Sequence, residues 1–178
     1  DIFSKESILD APIKQSSLLI SDRTQFIFPD DFISKCNFLR LNTHPSLLPY
    51  HKGSHPIFWA SILNHKLGIS IHSIDSGIDT GSIFYQEEVA YNSDQTIKEI
   101  HSNCRRSILN GISKIASDSF SNKIIEPISV QPPIALGHHL KKDAMKLVDL
   151  LPNKWDTPLG VARIQLEDML KHMHYPNS

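Results

Sequence analysis

Between residues 94 and 120 the chain repeats an apolar residue at spacings of three and four: Ile97, Ile100, Cys104, Ile108, Ile112 and Ile115. That period places all six on one stripe of a long α-helix, with Ser93 as its expected cap. A helix with one apolar stripe must bury it against another layer. The residues ahead of it supply that layer. Residues 16–21 (SSLLIS) and 38–41 (FLRL) are short apolar runs, and residues 82–89 read as a further strand. Residues 68–75 (GISIHSID) alternate, with Ile69, Ile71 and Ser73 on one side and Ser70, His72 and Ile74 on the other. A short helix is expected to open at Pro29, Asp30 and Asp31, and another over residues 55–64. Strands alternating with helices predict an α/β fold with a largely parallel sheet, whose chemistry gathers at the C-terminal strand ends.

After Lys123 the texture changes. Pro127, Pro132 and Pro133 make an extended connection, followed by expected helices over residues 141–151 and 160–172. We therefore divide the chain into a main α/β portion, residues 1–125, and a mostly helical C-terminal extension, residues 126–178.

Composition excludes several classes. The net charge of −1 supplies no field for a polyanion, so nucleic acid is not an expected partner. No apolar run approaches the ~20 residues of a membrane span, and no signal peptide is visible, so a cytoplasmic protein without a membrane partner is expected. The two cysteines, Cys36 and Cys104, offer neither a disulfide framework nor a zinc spacing. Ten histidines invite a metal reading. No H-E-x-x-H and no repeated carboxylate spacing accompanies them, so no metal is expected. Phosphate-binding glycine loops and the G-x-S-x-G elbow are absent as well.

Two polar clusters remain. Asn42, two residues before His44, points the same way on an extended segment. An amide donor then stands beside a titratable imidazole, one suited to an oxyanion and the other to proton transfer. Asn42 serves equally well as a turn cap and His44 as a satisfied polar residue when chemistry alone is considered. The second cluster is His72 and Asp75 followed by Asp79-Thr80-Gly81, with Gly77 and Gly81 allowing a sharply turned loop. Asp79 there is placed to orient a neighbouring histidine, and an ordinary Asx-turn is the plainer alternative.

Together these clusters resemble the folate-dependent formyltransferase family. The resemblance rests on Asn42-Thr43-His44-Pro45-Ser46-Leu47-Leu48-Pro49 and on Asp79-Thr80-Gly81, with Gly53, Pro56, Gly68, His72 and Ile83-Phe84-Tyr85-Gln86 in support. It runs from about residue 17 to 89. It implies a Rossmann-like sheet of the formyltransferase type, with the family's first strands missing ahead of residue 17. It also implies that Asn42, His44 and Asp79 are catalytic. The formyl donor 10-formyltetrahydrofolate would lie against Thr24, Gln25, Phe26 and Ile27 and against Ile74, Asp75, Gly77 and Ile78. Ser46, Gly53, His72, Thr80, His138 and Lys141 are the expected substrate contacts, with Trp59 packed beneath the strand end rather than on ligand.

Residues 53–59, together with residues 137–143 and 155–157, look most like the sugar N-formyltransferases of bacterial surface-polysaccharide (O-antigen) pathways. The expected acceptor is accordingly the amine of a dTDP-linked amino sugar, and a homodimer is the expected assembly. Formylation of glycinamide ribonucleotide or methionyl-tRNA, hydrolysis of the formyl-folate, and non-catalytic binding of a nucleotide sugar are the alternatives.

Overall fold

The computed structural model describes residues 18–24, 27–132, 136–139 (backbone only) and 141–171. Strand β1 is Leu19–Ser21, helix α1 Asp30–Lys35, strand β2 Arg40–His44, strand β3 Tyr50–Gly53 and helix α2 Pro56–Ile62. Strands β4 (Gly68–Ser73) and β5 (Ile83–Glu88) lead to the long helix α3, Ile97–Phe120. Strand β6 (Leu136–His139), helix α4 (Lys141–Asp149), a 3₁₀ turn at Lys154–Asp156 and helix α5 (Leu159–Lys171) complete the described chain.

Four strands form one sheet in the order β1-β2-β4-β5, and β3 pairs with β6 in a second. The α/β class is as expected, but strand direction differs from the expectation. Pairing is parallel for β1 with β2 and for β3 with β6, and antiparallel for β2 with β4 and β4 with β5. Residues 74–82, which join β4 to β5, are too few for the crossover that parallel neighbours need.

Local chemistry explains the element ends. The cap of α3 is Thr96 rather than Ser93: its hydroxyl accepts from Glu99 N, and Glu99 returns a carboxylate to Thr96 N. That reciprocal box satisfies two otherwise orphaned donors. Helix α2 ends with Asn64 left-handed at φ 60°, Asn64 N–H bonding the Ser61 carbonyl and His65 N–H the Ala60 carbonyl. This is a Schellman closure, and it turns the chain back toward β4.

The core sits where α2, α3, α4 and α5 meet β4. Phe58, Trp59, Ile69, Ile97, Ile100, Leu147, Val148, Leu159 and Leu166 share one buried cluster. Trp59 has no exposed surface and lies in that core, as anticipated. Removing a side chain of its size from such packing typically costs about 3–5 kcal/mol. A smaller cluster of Leu41, Ile71 and Ile115 fixes α3 against β2 and β4. Residues 68–72 of β4 are all buried, so its alternation does not separate a wet face from a dry one. No described helix is long and apolar enough to cross a membrane.

Candidate active site

Adjacent strands bring the two polar clusters together. Asn42 and His72 are register partners across β2 and β4. Asn42 Nδ2 donates to His72 Nε2 at 3.4 Å. The loop after β4 swings back over these strand ends and carries Asp79, whose Oδ1 is 3.5 Å from His72 Nε2 and whose Oδ2 is 3.4 Å from His44 Nδ1. Gly53 N–H, from the end of β3, donates to Asp79 Oδ2 at 3.0 Å. Gly53 has φ 88°, a conformation that favours glycine, and this is how the N–H is aimed inward. All four of Asn42, His44, His72 and Asp79 line one cavity of about 1010 Å³.

Two backbone carbonyls fix the imidazoles. His44 Nε2 donates to the His51 carbonyl at 2.9 Å, and His72 Nδ1 donates to the Ser73 carbonyl at 2.9 Å. A neutral His44 therefore carries its lone pair on Nδ1, the nitrogen that faces Asp79. Burial pushes the His44 pKa below its ordinary value, outweighing the upward pull of Asp79. Asp79 does raise the proton affinity of His44, but desolvation is the larger effect. Burial also pushes Asp79 upward, but His72, the nearby His44 and the Gly53 N–H together hold its carboxyl at about 2. The resting pair is an anionic carboxylate beside a neutral imidazole.

The other expected contacts divide clearly. Thr24, Ile27, Gly53, Ile74, Asp75, Gly77, Ile78 and Lys141 line the same cavity. Asp75 builds the Asx-turn there, its Oδ1 accepting from Gly77 N at 3.1 Å and from Thr80 Oγ1 at 2.6 Å. Thr80 is therefore engaged within the loop. Ser46 needs a correction as a substrate contact: it is 1% exposed and its hydroxyl donates to the Tyr50 carbonyl at 2.7 Å. Gln25, Phe26 and the side chain of His138 lie outside the described residues; the His138 backbone pairs with Lys52.

Sequence reasoning missed one wall. Lys98, His101, Ser102 and Arg105, spaced i, i+3, i+4 and i+7 on α3, line the cavity together with Arg23. That spacing is the polar counterpart of the isoleucine stripe and was legible. Arg105 Nη1 donates to Asp22 Oδ2 at 2.5 Å, and Thr43 Oγ1 donates to Asp22 Oδ1 at 2.7 Å. Asp22 thereby ties α3 to β2 at the cavity edge. The His101 Nε2 atom is buried without a hydrogen-bond partner among the described residues. No described group of three or more His, Cys, Asp or Glu side chains is arranged to hold a metal ion.

Comparison with known proteins gives this arrangement a context. The chain is 38% identical over 76 residues to a methionyl-tRNA formyltransferase of Pelotomaculum thermopropionicum, covering 42% of this chain and 24% of that protein. It is 33% identical over 109 residues to the methionyl-tRNA formyltransferase of Thermodesulfovibrio yellowstonii, covering 60% and 35%. The chain thus spans about a quarter to a third of these curated relatives. Among solved structures, the formyltransferase PseJ from Anoxybacillus kamchatkensis, in complex with UDP-4,6-dideoxy-4-formamido-L-AltNAc and tetrahydrofolate, superposes with a TM-score of 0.74. The two are 30% identical, over 91% of this chain and 82% of that one. The N-formyltransferase from Helicobacter canadensis, crystallised with folinic acid and dTDP-3-aminofucose, gives a TM-score of 0.71 at 22% identity, over 93% and 58%, and shows a shared fold. A family model described as formyl transferase matches residues 22–114, just over half the chain. The protein belongs to the formyl transferase family.

Proposed function

We propose that this protein transfers a formyl group from 10-formyltetrahydrofolate to the amine of a nucleotide-linked amino sugar. The single observation carrying the chemistry is the convergence of Asn42, His44 and Asp79 at one cavity, with His44 Nδ1 and Asp79 Oδ2 side by side.

The cavity suits the donor. Ile27, Phe28, Ile74 and Ile78 give it apolar surface, and Asp75 and the loop backbone give polar contacts at the edge, a combination that accepts a flat heteroaromatic ring. The donor supplies an activated formyl carbon. The protein supplies everything else. A substrate ammonium must lose a proton before its nitrogen can attack. His44 Nδ1 takes that proton, and Asp79 stabilises the imidazolium that results. Asn42 Nδ2, which keeps a second hydrogen beside its bond to His72, donates to the formyl oxygen as negative charge gathers there. As the new amide C–N bond forms, the bond from the formyl carbon to the folate nitrogen breaks. That nitrogen receives a proton from His44, and the new amide nitrogen gives its surplus proton to the freed His44 Nδ1, which releases it to solvent. One donor of this kind is worth ~10²–10³ in rate and the proton transfer ~10²–10⁴.

The acceptor reading is supported by PseJ and by the cationic wall. Arg23, Lys98, Arg105 and Lys141 line the cavity, which suits a diphosphate. The nucleotide is thymidine or uridine diphosphate, both represented among the solved relatives. The names of the curated relatives favour a second reading, methionyl-tRNA as acceptor. The deciding assay offers dTDP- and UDP-linked amino sugars, methionyl-tRNA and glycinamide ribonucleotide in parallel and follows tetrahydrofolate release. Preferential turnover of either non-sugar amine would overturn the sugar assignment. Release at equal rates without any amine would make the protein a hydrolase instead.

A further inference from the structure

Asp79 holds an unusual backbone conformation, and one side chain from far along the chain is built around it. Its φ is 53°, the left-handed region that residues with a Cβ seldom adopt. The carbonyls of Asp79 and Gly81 converge on a single atom, Gln131 Nε2, at 3.1 Å and 2.7 Å. Both hydrogens of that amide nitrogen are thereby used. The approach is set by backbone pairing: Ile83 N–H donates to the Ser129 carbonyl at 2.8 Å and Ile128 N–H to the Ile83 carbonyl at 2.7 Å. With Ile83 opposite Ser129 in an antiparallel bridge, Gln131 falls opposite Gly81.

Two further observations separate this arrangement from ordinary packing. Gln131 Oε1 is buried with no hydrogen-bond partner among the described residues. Retaining an amide whose acceptor is idle points to a need for its donors, because an apolar side chain would fill the same space without burying that oxygen. The loop also has little slack on its other side. A Cβ on Gly81 would lie 1.8 Å from the Ser73 carbonyl oxygen, so the loop is pressed against the end of β4 while Gln131 holds it from behind.

We propose that Gln131 is a positioning residue for formyl transfer, latching the two carbonyls that flank Thr80 so that the Asp79 carboxylate stays against His44 and His72. The proposal rests on Asp79 acting in the reaction. Without the latch the Asp79 peptide is free to leave the left-handed region, and the carboxylate swings off Gly53 N–H and both imidazoles. A misplacement of this kind, on the order of 1 Å, can cost ~10²-fold in rate.

The test compares Gln131→Met, which keeps the volume and removes the donors, with Gln131→Glu, which turns an oxygen toward the two carbonyls. Each is checked for fold by circular dichroism and thermal melting. The expected result is a fall in kcat of about 10–100-fold with KM for the folate within a few-fold. The acid limb of the pH profile should also move to lower pH, because His44 loses the carboxylate that favours its protonated form. Folded variants with kcat and acid limb unchanged overturn the proposal, as does a loss of rate with the acid limb in place, which marks mere loosening. Should neither variant fold, the side-chain amide of Gln131 in the ¹⁵N-labelled unmutated protein decides. Two slowly exchanging hydrogens support the latch, and exchange as fast as in a free glutamine overturns it. Asp79→Asn serves as the reference. If it retains full turnover, the assignment of Asp79 fails. If it is inactive while the Gln131 variants behave as the parent, only the latch fails.

Discussion

His44 and Asp79 meet edge to edge, with Nδ1 3.4 Å from Oδ2, while the opposite nitrogen of His44 is committed to the His51 carbonyl. The proton-accepting atom of the imidazole is therefore chosen by backbone geometry before any ligand arrives. His44→Ala and Asp79→Asn should each lower turnover by at least ~10²-fold, one by removing the acceptor and the other by removing the charge that steadies it. Circular dichroism should show the fold retained. Near-normal turnover in either folded variant would remove the mechanism.

Asn42→Ala should slow the chemical step more than it weakens folate binding, because its amide is needed most where charge develops. Single-turnover rates set beside the affinity for a non-reactive folate analogue give the comparison. A large loss of affinity at an unchanged rate would make Asn42 a binding residue.

The pH–rate profile follows from the direction of the His44 shift. The proton acceptor must be neutral, and burial holds its pKa below 6.5. The kcat/KM acid limb should accordingly lie under pH 6.5, with activity lost as pH falls through it. Asp79→Asn should move that limb lower still, since the carboxylate opposes the effect of burial. An acid limb above pH 7 in the unmutated protein would contradict the resting state described for the pair.

Stability should decline on the acid side for a separate reason. His101 is pushed down to about 4, first by burial and then by His55 and Arg23. Its unfolded form binds a proton near pH 6.5, so between about 6.5 and 4 the unfolded chain holds more protons than the folded one. Stability therefore rises with pH across that window and is lost as pH falls. For a shift of this size the loss is on the order of 3 kcal/mol. His101→Phe should flatten the dependence of Tm on pH between 6.5 and 4, and an unaltered slope would show that other groups carry it.

How much of this was legible in the sequence depended on whether a residue sat in a periodic element. Asn42 and His44 lie two apart on a strand, so their common direction followed from the pleat. The approach of Asp79 did not, because a loop has no period; the resemblance supplied it. The Thr96-x-x-Glu99 box was present in the sequence, yet residue type alone pointed to Ser93 as the cap. Strand β6 was hidden, since Leu136-Gly137-His138-His139 lacks the β-branched and aromatic enrichment that marks a strand. Gln131 stands alone in a proline-rich connection, where nothing in the neighbouring residues reveals what its amide will reach. Ser46 belongs to the recognisable motif, but its hydroxyl serves the turn into β3.

The parallel ladder between β3 and β6 has a bearing on how the molecule comes to exist. Tyr50 pairs with Leu136 and Gly53 with His139, joining segments far apart in the chain. Gly53 is also the residue whose N–H holds Asp79. Contacts of such long sequence separation close late, after local helices and hairpins have formed, because loop entropy must be overcome first. On a ribosome, the hairpin of β4 and β5 has all its residues well before β6 is synthesised. The nascent chain can then carry every proposed catalytic side chain before the ladder that braces them exists, so competence for chemistry should appear only once β6 has been made.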